Sequence, residues 1–255
     1  MGLCAEIAMS KPLDLYPERT FDFLDRLQRC TESAEIAAAI IKEMNDFGFE
    51  CLTVWALPPP GHNPDDGVLL NTRPEEYIDR YVEQNYVERD PVIKYLRKAT
   101  APFSWGDVKE RERLSRSDRL IIDEAREFQV HDGIVVPVIT VSGSIALFSP
   151  CGEKPDLSDR ARKAVEVMGI MTLQTLRRTT LDELRQKPDY RPLTRREREV
   201  MQWVAHGKSD DEIGEILSIS SGTVLVHVEN AKRKLDAYKR TTAVISALRR
   251  GEISL

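Results

Sequence analysis

From Leu193 to Gly251 the apolar positions recur at helical spacing in three short blocks and, after a basic run, a fourth. Thr194 and Glu197, three residues apart, form a capping box ahead of the first block. Val200, Trp203 and Val204 are its inward stripe, and Gly207, able to take positive φ without steric cost, ends it. Ser209 caps the second helix, Asp210, Asp211 and Glu212 suit the positive end of its dipole, and Ile213, Ile216 and Leu217 are expected to face inward. A tight turn through Ser218 and Ile219 leads to a third helix, roughly Ser221 to Leu235, with Val224, Val228, Ala231 and Leu235 on one face. Val244, Ile245 and Leu248 supply the apolar positions of the fourth.

The upstream part starts with helices: Phe21, Leu24 and Leu27 predict one apolar stripe, and Ile36, Ala37, Ile40, Ile41 and Met44 a second that ends before Gly48. Strand formers follow. Cys51 to Leu57 stops at Pro58, Pro59, Pro60 and Gly61, Val68 to Leu70 is a short partner, and Gly133 to Val141 with Ser144 to Ser149 reads as a hairpin around Ser142 and Gly143. A long helix from about Asp156 to Leu184 carries Ala161, Val165, Met168 and Met171 on one face. The expected fold class is α+β, with an N-terminal α-β-α sandwich and a C-terminal all-α helix-turn-helix domain.

Length agrees, since 255 residues suit two domains. Residues 193–255 carry eleven basic against nine acidic side chains, a net of +2, whereas the preceding 192 residues carry −7 of the total −5. The larger domain is therefore a poor candidate for nucleic acid. Lys187, Pro188, Asp189, Tyr190, Arg191 and Pro192 have linker composition, which places domains at 1–186 and 193–255 with the linker at 187–192. Cys4, Cys30, Cys51 and Cys151 are widely separated, without zinc spacing or a secretory leader, and read as reduced cytoplasmic thiols. No apolar run approaches the roughly 20 residues needed to cross a bilayer.

On an ideal helix the other face of Ser221–Leu235 carries Gly222, Val226, Glu229 and Arg233, flanked by Thr223, His227 and Asn230. Hydroxyls and amides of this kind bond phosphates or base edges, a valine meets a thymine methyl, a glutamate accepts from cytosine, and an arginine donates to guanine or phosphate. Between residues 232 and 240, Lys232, Arg233, Lys234, Lys239 and Arg240 face only Asp236, a local basic patch suited to phosphate. Leu193, Thr194, Arg196, Glu197, Glu199, Val200, Gly207, Lys208, Ser209, Glu212, Ile213, Thr223, Val224, His227, Asn230, Lys234 and Leu235 together resemble the LuxR-type helix-turn-helix over about sixty residues. Met201 stands where that family usually has leucine, a volume-conserving change. The candidate DNA-contacting residues are Ser221, Thr223, Val226, His227, Glu229, Asn230, Arg233 and Lys234.

Upstream, Tyr77 and Tyr81 share a helix face after Pro74, and Asp90 precedes Pro91 at the start of the next helix. Pro102, Phe103, Ser104 and Trp105 follow. Singly, Asp90 reads equally as an N-cap and the aromatics as core residues. Together, Tyr81, Asp90, Pro91 and Trp105, with Gly133 and Pro137 downstream, resemble the acyl-homoserine lactone binding signature of LuxR-type quorum sensors.

The resemblance implies that Asp90 accepts the ligand's amide N–H, that Tyr81 and Trp105 wall the pocket, and that Ser149 offers a hydroxyl. It also implies a homodimer on double-stranded DNA, with RNA polymerase as a further partner. The resemblance further implies a cytoplasmic protein with a sensor domain for the lactone signal, nucleoid-associated when DNA is bound, with no membrane partner and no cofactor beyond that signal. The candidate dimer surfaces are the long helix and Val244, Ile245 and Leu248, which serve equally as internal core.

Two positions depart from that pattern: Tyr77 stands where tryptophan is common and Arg73 where tyrosine is. Tyr77 still has a phenol to donate to the lactone carbonyl. Arg73 can donate to an acyl carbonyl, cap the pocket or face solvent, and the last is expected of an arginine. A short branched or aromatic acyl chain is thus an alternative to a long linear one, and a sensor of a non-lactone small molecule is the alternative function.

A phosphorylation-gated regulator would begin with a strand and end early strands in acidic residues, whereas Asp65 and Asp66 fall in a Pro- and Gly-rich loop. Enzyme chemistry has no foothold, since His62, His131, His206 and His227 lack metal spacing and pair with no cysteine in a nucleophile pattern.

Overall fold

The computed structural model describes residues 15–58, 67–140 and 144–254. Pro59, Pro60, Gly61, His62, Asp65, Asp66, Ser142 and Gly143, together with Cys4 and Val141, lie outside the described residues. The chain divides into two compact units, one running through Val138 and resuming at Ile145–Arg177, the other holding Arg178 onward with the segment between.

In the first unit, α1 (Tyr16–Arg29) and α2 (Ser33–Asp46) precede β1 (Cys51–Ala56) and β2 (Val68–Asn71). Then come α3 (Glu75–Glu83), α4 (Pro91–Leu96), β3 (Phe103–Ser104), α5 (Trp105–Arg111) and α6 (Arg116–Glu124). The hairpin strands β4 (Asp132–Ile139) and β5 (Ile145–Gly152) lead to α7 (Asp159–Gln186). The sheet order is β2-β1-β5-β4-β3, and β1 pairs antiparallel with both β2 and β5.

Strand alternation sorts side chains to two buried faces. Leu52, Val54, Ile134, Val136, Ala146 and Phe148 join Phe23, Leu27, Ile36, Ile40, Met44, Val165 and Met168 in one core. On the other face, Cys51, Trp55, Val135, Leu147 and Cys151 pack with Tyr77, Val92, Leu96, Phe103, Trp105 and Ile122. Covering both faces is why β1 is buried almost end to end instead of alternating with solvent. The result is the expected sandwich of a sheet between helices.

One apolar stripe needs correction. Phe21 is 68% exposed, and Phe23 is wholly buried in its place. Thr20, Phe23 and Leu27 define the inner face of α1, and at 100° per residue Phe21 falls roughly a third of a turn away from its centre. Strand β3 was not anticipated, for its two residues carry no periodicity and are held by pairing with Val135 and Ile134.

In the second unit, α8 (Arg195–Ala205), α9 (Asp210–Leu217), α10 (Ser221–Lys234) and α11 (Arg240–Arg249) enclose a core of Leu193, Val200, Met201, Val204, Ile213, Val224, Val228, Ala231, Leu235, Ala243 and Ala247. Thr194 and Ser209 make the expected capping boxes with Glu197 and Glu212. Gly207 follows α8 at φ 78°. Ile216 is a second correction: it is exposed, because the inner face of α9 centres between Ile213, Gly214 and Leu217, more than a quarter-turn away. Trp203 is only half-buried at the edge of this core, and Met201 takes the deeper place. Between α7 and α8, residues 187–194 are irregular, with the Tyr190 hydroxyl donating to Glu252 at 2.9 Å and Pro192 O accepting from Lys234 at 3.2 Å.

Gly169 on α7 lets the helix lie against Phe148, since a Cβ there would sit 2.5 Å from the ring. Alanine would gain about 1 kcal/mol of helix propensity but overpack this contact at a cost of about 1–3 kcal/mol. We expect Gly169→Ala to lower the midpoint of urea unfolding; a raised midpoint would show that helix propensity wins.

Candidate functional site

A cavity of about 90 Å³ lies against the sheet face of Trp55 and Leu147. Tyr77, Tyr81, Asp90, Trp105 and Ser149 all line it, so residues spread over more than seventy positions converge. The apolar wall includes Ile78, Val82, Val87, Val92, Ile93 and Val135.

Asp90 ends its turn as the N-cap of α4, its Oδ1 accepting from Val92 N at 2.7 Å and its Oδ2 from the Tyr81 hydroxyl at 2.7 Å. The two readings of Asp90 therefore coexist, since a carboxylate oxygen holding one hydrogen bond keeps a lone pair for another. Burial raises the Asp90 pKa above the ordinary aspartate value, opposed by the Tyr81 and Val92 hydrogen bonds and by the charge of Arg73. Burial and the neighbouring Asp90 push the Tyr81 phenol well up, so it donates and does not ionise. Tyr77 is buried, its ring 5.9 Å from that of Tyr81 and 5.6 Å from Phe128.

Trp105 opens α5 behind the capping box of Ser104 and Asp107, with its backbone N–H donating to Asp132 at 3.1 Å. Its indole Nε1 is buried and has no hydrogen-bond partner.

Arg73 corrects the expectation that it faces solvent. It lines the cavity, its Nη2 donates to Ser149 Oγ at 3.3 Å, and its guanidinium lies 5.8 Å from the Tyr77 ring and 5.6 Å from the Trp105 ring. Its Nε is buried without a partner. Two aromatic faces and a hydroxyl compensate the desolvated cation well enough to hold it inside.

The sheet adds residues that the sequence pattern alone did not nominate. Thr53 and Ser149 are register partners on β1 and β5, and Thr53 Oγ1 donates to Asn71 Oδ1 at 2.9 Å; both Thr53 and Asn71 line the cavity. Thr53 lies two positions from Trp55, so strand alternation was the available signal. Cys51 and Cys151, far apart in sequence, are also register partners, with their Sγ atoms 2.8 Å apart. Burial raises the Cys151 thiol, but the Cys51 hydrogen bond and the nearby Arg73 outweigh it and lower the pKa.

The second unit presents α10. Its inner face is Val224, Val228, Ala231 and, just beyond, Leu235, while Ser221, Thr223, Val226, Glu229 and Arg233 are exposed and His227 and Asn230 half-buried. Ser220 is the N-cap, its Oγ accepting from Thr223 N at 3.1 Å, which leaves the Ser221 side chain on the exposed rim. Glu229 accepts from Lys232 at 2.8 Å, and Arg233 donates to Asn230.

Lys234 stands apart from the other candidates. Its ammonium donates to the buried Glu197 at 2.7 Å, tying α10 to α8. Arg240 likewise pairs with Asp210 and donates to Lys208 O. Two of the five cations in the expected phosphate patch therefore hold the helices together, and the outward charge is carried chiefly by Arg233 and Lys239.

A mostly apolar cavity holding a buried carboxylate in an α-β-α unit, followed by a helix-turn-helix unit, fits a small-molecule-responsive transcriptional regulator. Two family models match, the autoinducer binding domain over residues 32–178 and the bacterial regulatory proteins of the luxR family over residues 191–247. The chain is 34% identical to the transcriptional activator protein BjaR1 of Bradyrhizobium diazoefficiens, covering 92% of this chain and 96% of that one. It is 35% identical to the quorum sensing-dependent transcriptional regulator RpaR of Rhodopseudomonas palustris, covering 94% and 97%. Escherichia coli SdiA has a similar fold, with a TM-score of 0.73 at 23% identity over 93% of this chain and 98% of that one. The chain belongs to the LuxR family of quorum-sensing transcriptional regulators, with an autoinducer-binding domain and a DNA-binding domain. Both of these relatives are regulators of transcription. Among the described residues, no helix is long and apolar enough to cross a membrane.

Burial pushes the Glu197 carboxyl up, but Lys234 and the Thr194 cap outweigh it and hold the pKa below the ordinary glutamate value. A depressed folded-state pKa gives stability that is present above about pH 4.3, the unfolded value, and lost as pH falls through the folded one. Glu197→Gln should therefore lower hydrogen-exchange protection of α8 and α10 at pH 7 by about 2 kcal/mol, with the difference shrinking below pH 4. Equal loss at both pH values would mean that the ion pair contributes nothing.

Proposed function

We propose that the signal is an N-acyl-homoserine lactone, held in a sensor domain of residues 1–186. Asp90 accepts the amide N–H, Tyr77 donates to the lactone carbonyl, Ser149 offers a hydroxyl to the acyl carbonyl, and Tyr81 and Trp105 wall the ring. The observation that carries this is the buried Asp90 on a mostly apolar cavity, fixed by Val92 and Tyr81 with accepting capacity left over. A charge-assisted N–H donor from outside would offset part of its desolvation cost.

Residues 187–192 link this domain to residues 193–255, and two copies place their α10 helices in successive major grooves of a pseudo-palindromic operator, half-sites about one helical turn apart. Ser221, Thr223, Val226, His227, Glu229, Asn230 and Arg233 are the groove-facing set, and Lys234 supports α10 from within. The dimer acts in the cytoplasm, at the nucleoid, and RNA polymerase is the partner through which promoter occupancy is read.

A second reading is a sensor of a non-lactone small molecule. It is favoured by the inward Arg73, and by a structure of similar fold, SdiA, that is in complex with octanoyl-rac-glycerol.

Ligand bound only to the folded state adds about 2.7 kcal/mol at a hundredfold excess over Kd. A panel of homoserine lactones should therefore raise the melting temperature and soluble yield, and a panel without effect rules the lactone out. Asn caps helices as well as Asp does, so Asp90→Asn should fold with unchanged or higher ligand-free stability. It should bind the lactone about 10- to 100-fold more weakly, the loss of one charged hydrogen bond; an unchanged response removes Asp90 from the site. Arg233→Ala should cut operator affinity by about 1–3 kcal/mol and leave the lactone-induced melting shift intact. Undiminished operator binding would place Arg233 outside the groove.

A further inference from the structure

Two buried nucleophiles of the sensor unit have no part in the readings above. Cys51 on β1 and Cys151 on β5 are register partners with their Sγ atoms 2.8 Å apart, one thiol donating to the other. Residues opposite one another on antiparallel strands have Cα atoms about 4.5–5.5 Å apart, inside the range of about 4.4–6.8 Å that a disulfide spans. The two sulfurs can therefore bond with little movement of the backbone.

The pair borders the cavity. Thr53 and Ser149, the next register pair on the same face of the sheet, both line it. Arg73 lines it too. Against the burial of Cys151, the Cys51 hydrogen bond and the Arg73 charge hold its thiol below the ordinary value, which favours the thiolate that attacks an oxidant.

Topology makes a bond here consequential. Every residue lining the cavity, from Thr53 to Ser149, lies between the two cysteines in sequence. A disulfide would close one ring of chain that contains all of the cavity wall, with α3 to α6 inside it. Closing so long a loop restricts the unfolded chain far more than the folded one.

We propose that Cys51 and Cys151 are a modification site, a dithiol that hydrogen peroxide converts to a disulfide stapling β1 to β5 beside the cavity. The Cys151 thiolate attacks one peroxide oxygen, the S–O bond forms as the O–O bond breaks, and the departing hydroxide leaves as water with the proton that Cys151 gave up. Cys51 then attacks the sulfenic sulfur, the S–S bond forms as the S–O bond breaks, and the Cys51 proton leaves with that hydroxide as a second water. Two electrons pass from the two sulfurs to the peroxide. In a reducing compartment such a bond is transient and reopens by exchange with a small thiol.

The test is peroxide treatment of the reduced full-length protein, followed by unfolding, alkylation of the remaining thiols and peptide mass mapping. Two of the four thiols of the chain should be lost, found in a linked peptide of Cys51 and Cys151, and returned by dithiothreitol. The oxidised protein should melt several degrees above the reduced one. Cys51→Ser should show neither the linked peptide nor the rise, and should accumulate a Cys151 sulfenic acid that dimedone traps. Cys4→Ser with Cys30→Ser should respond as the wild type does, which keeps the test decisive where the Cys51 variant folds poorly. Cys51 and Cys151 both still alkylatable at a peroxide excess that oxidises Cys30, or a linked peptide joining other cysteines, overturns the proposal. A linked pair with an unchanged melting temperature overturns the staple.

Discussion

The sensor unit depends on one constraint: a five-stranded sheet must bury both of its faces while one of them keeps a space for an outside molecule. On the face of Leu52, Val54 and Phe148 the space is filled by α1, α2 and α7, and Gly169 brings α7 directly onto the Phe148 ring. On the other face the covering helices α3 to α6 are short, and a cavity is left among Trp55, Tyr77, Asp90 and Trp105. The difference lies in what each face asks of its partners. Aliphatic side chains of the first face close-pack against a long helix. The second face carries Thr53 and Ser149 on adjacent strands, polar groups that need hydrogen bonds, and these are met by Asn71 and Arg73 in place of a packed core.

How much of this was legible beforehand follows from the range of the forces involved. Helix starts were readable at Thr194, Ser209 and Asp90, because a cap is a contact between residues two or three positions apart. The two layers of helices were readable from periodicity, and the strands at Cys51 and Val68 from their strand-forming residues. Phe21 and Ile216 were assigned inward and point outward, because a helix with several apolar residues has more than one candidate stripe and only its neighbours choose among them. Arg73 and the Cys51–Cys151 pair were illegible for a different reason. A solvent-facing arginine is the ordinary case, and what turns this one inward is a set of partners from three separate elements, Tyr77, Trp105 and Ser149. Register, not spacing, joins the two cysteines across 100 residues.

The second unit shows a related division of labour along a single helix. Every third or fourth residue of α10 is consumed by the core, and the charged residues between them divide between structure and surface. Lys234, next to Arg233 in sequence, lies 100° further round the helix, close enough to α8 to reach Glu197. A basic run therefore overstates the charge available for phosphate, since each cation's role is set by its angle and not by its sign. The buried Glu197 is at once the capping-box residue of α8 and the partner of Lys234, so one carboxylate fixes both the start of one helix and its packing on the next.

Asp90 does in the sensor unit what Glu197 does in the other, with one difference. Each caps a helix and each is buried, but Glu197 has a cation at 2.7 Å, whereas Asp90 has a phenol and a backbone amide, and no ion pair joins it to Arg73. The direction of the two pKa values follows: the paired carboxylate is held down, and the unpaired one is raised by its burial. Glu197 is thus satisfied by its own chain. Asp90 and Arg73, opposite charges on one cavity and each with hydrogen-bonding capacity in hand, are not. A ligand that hydrogen-bonds with both groups would complete them at once, and one that binds the folded state alone would add to the stability of that fold.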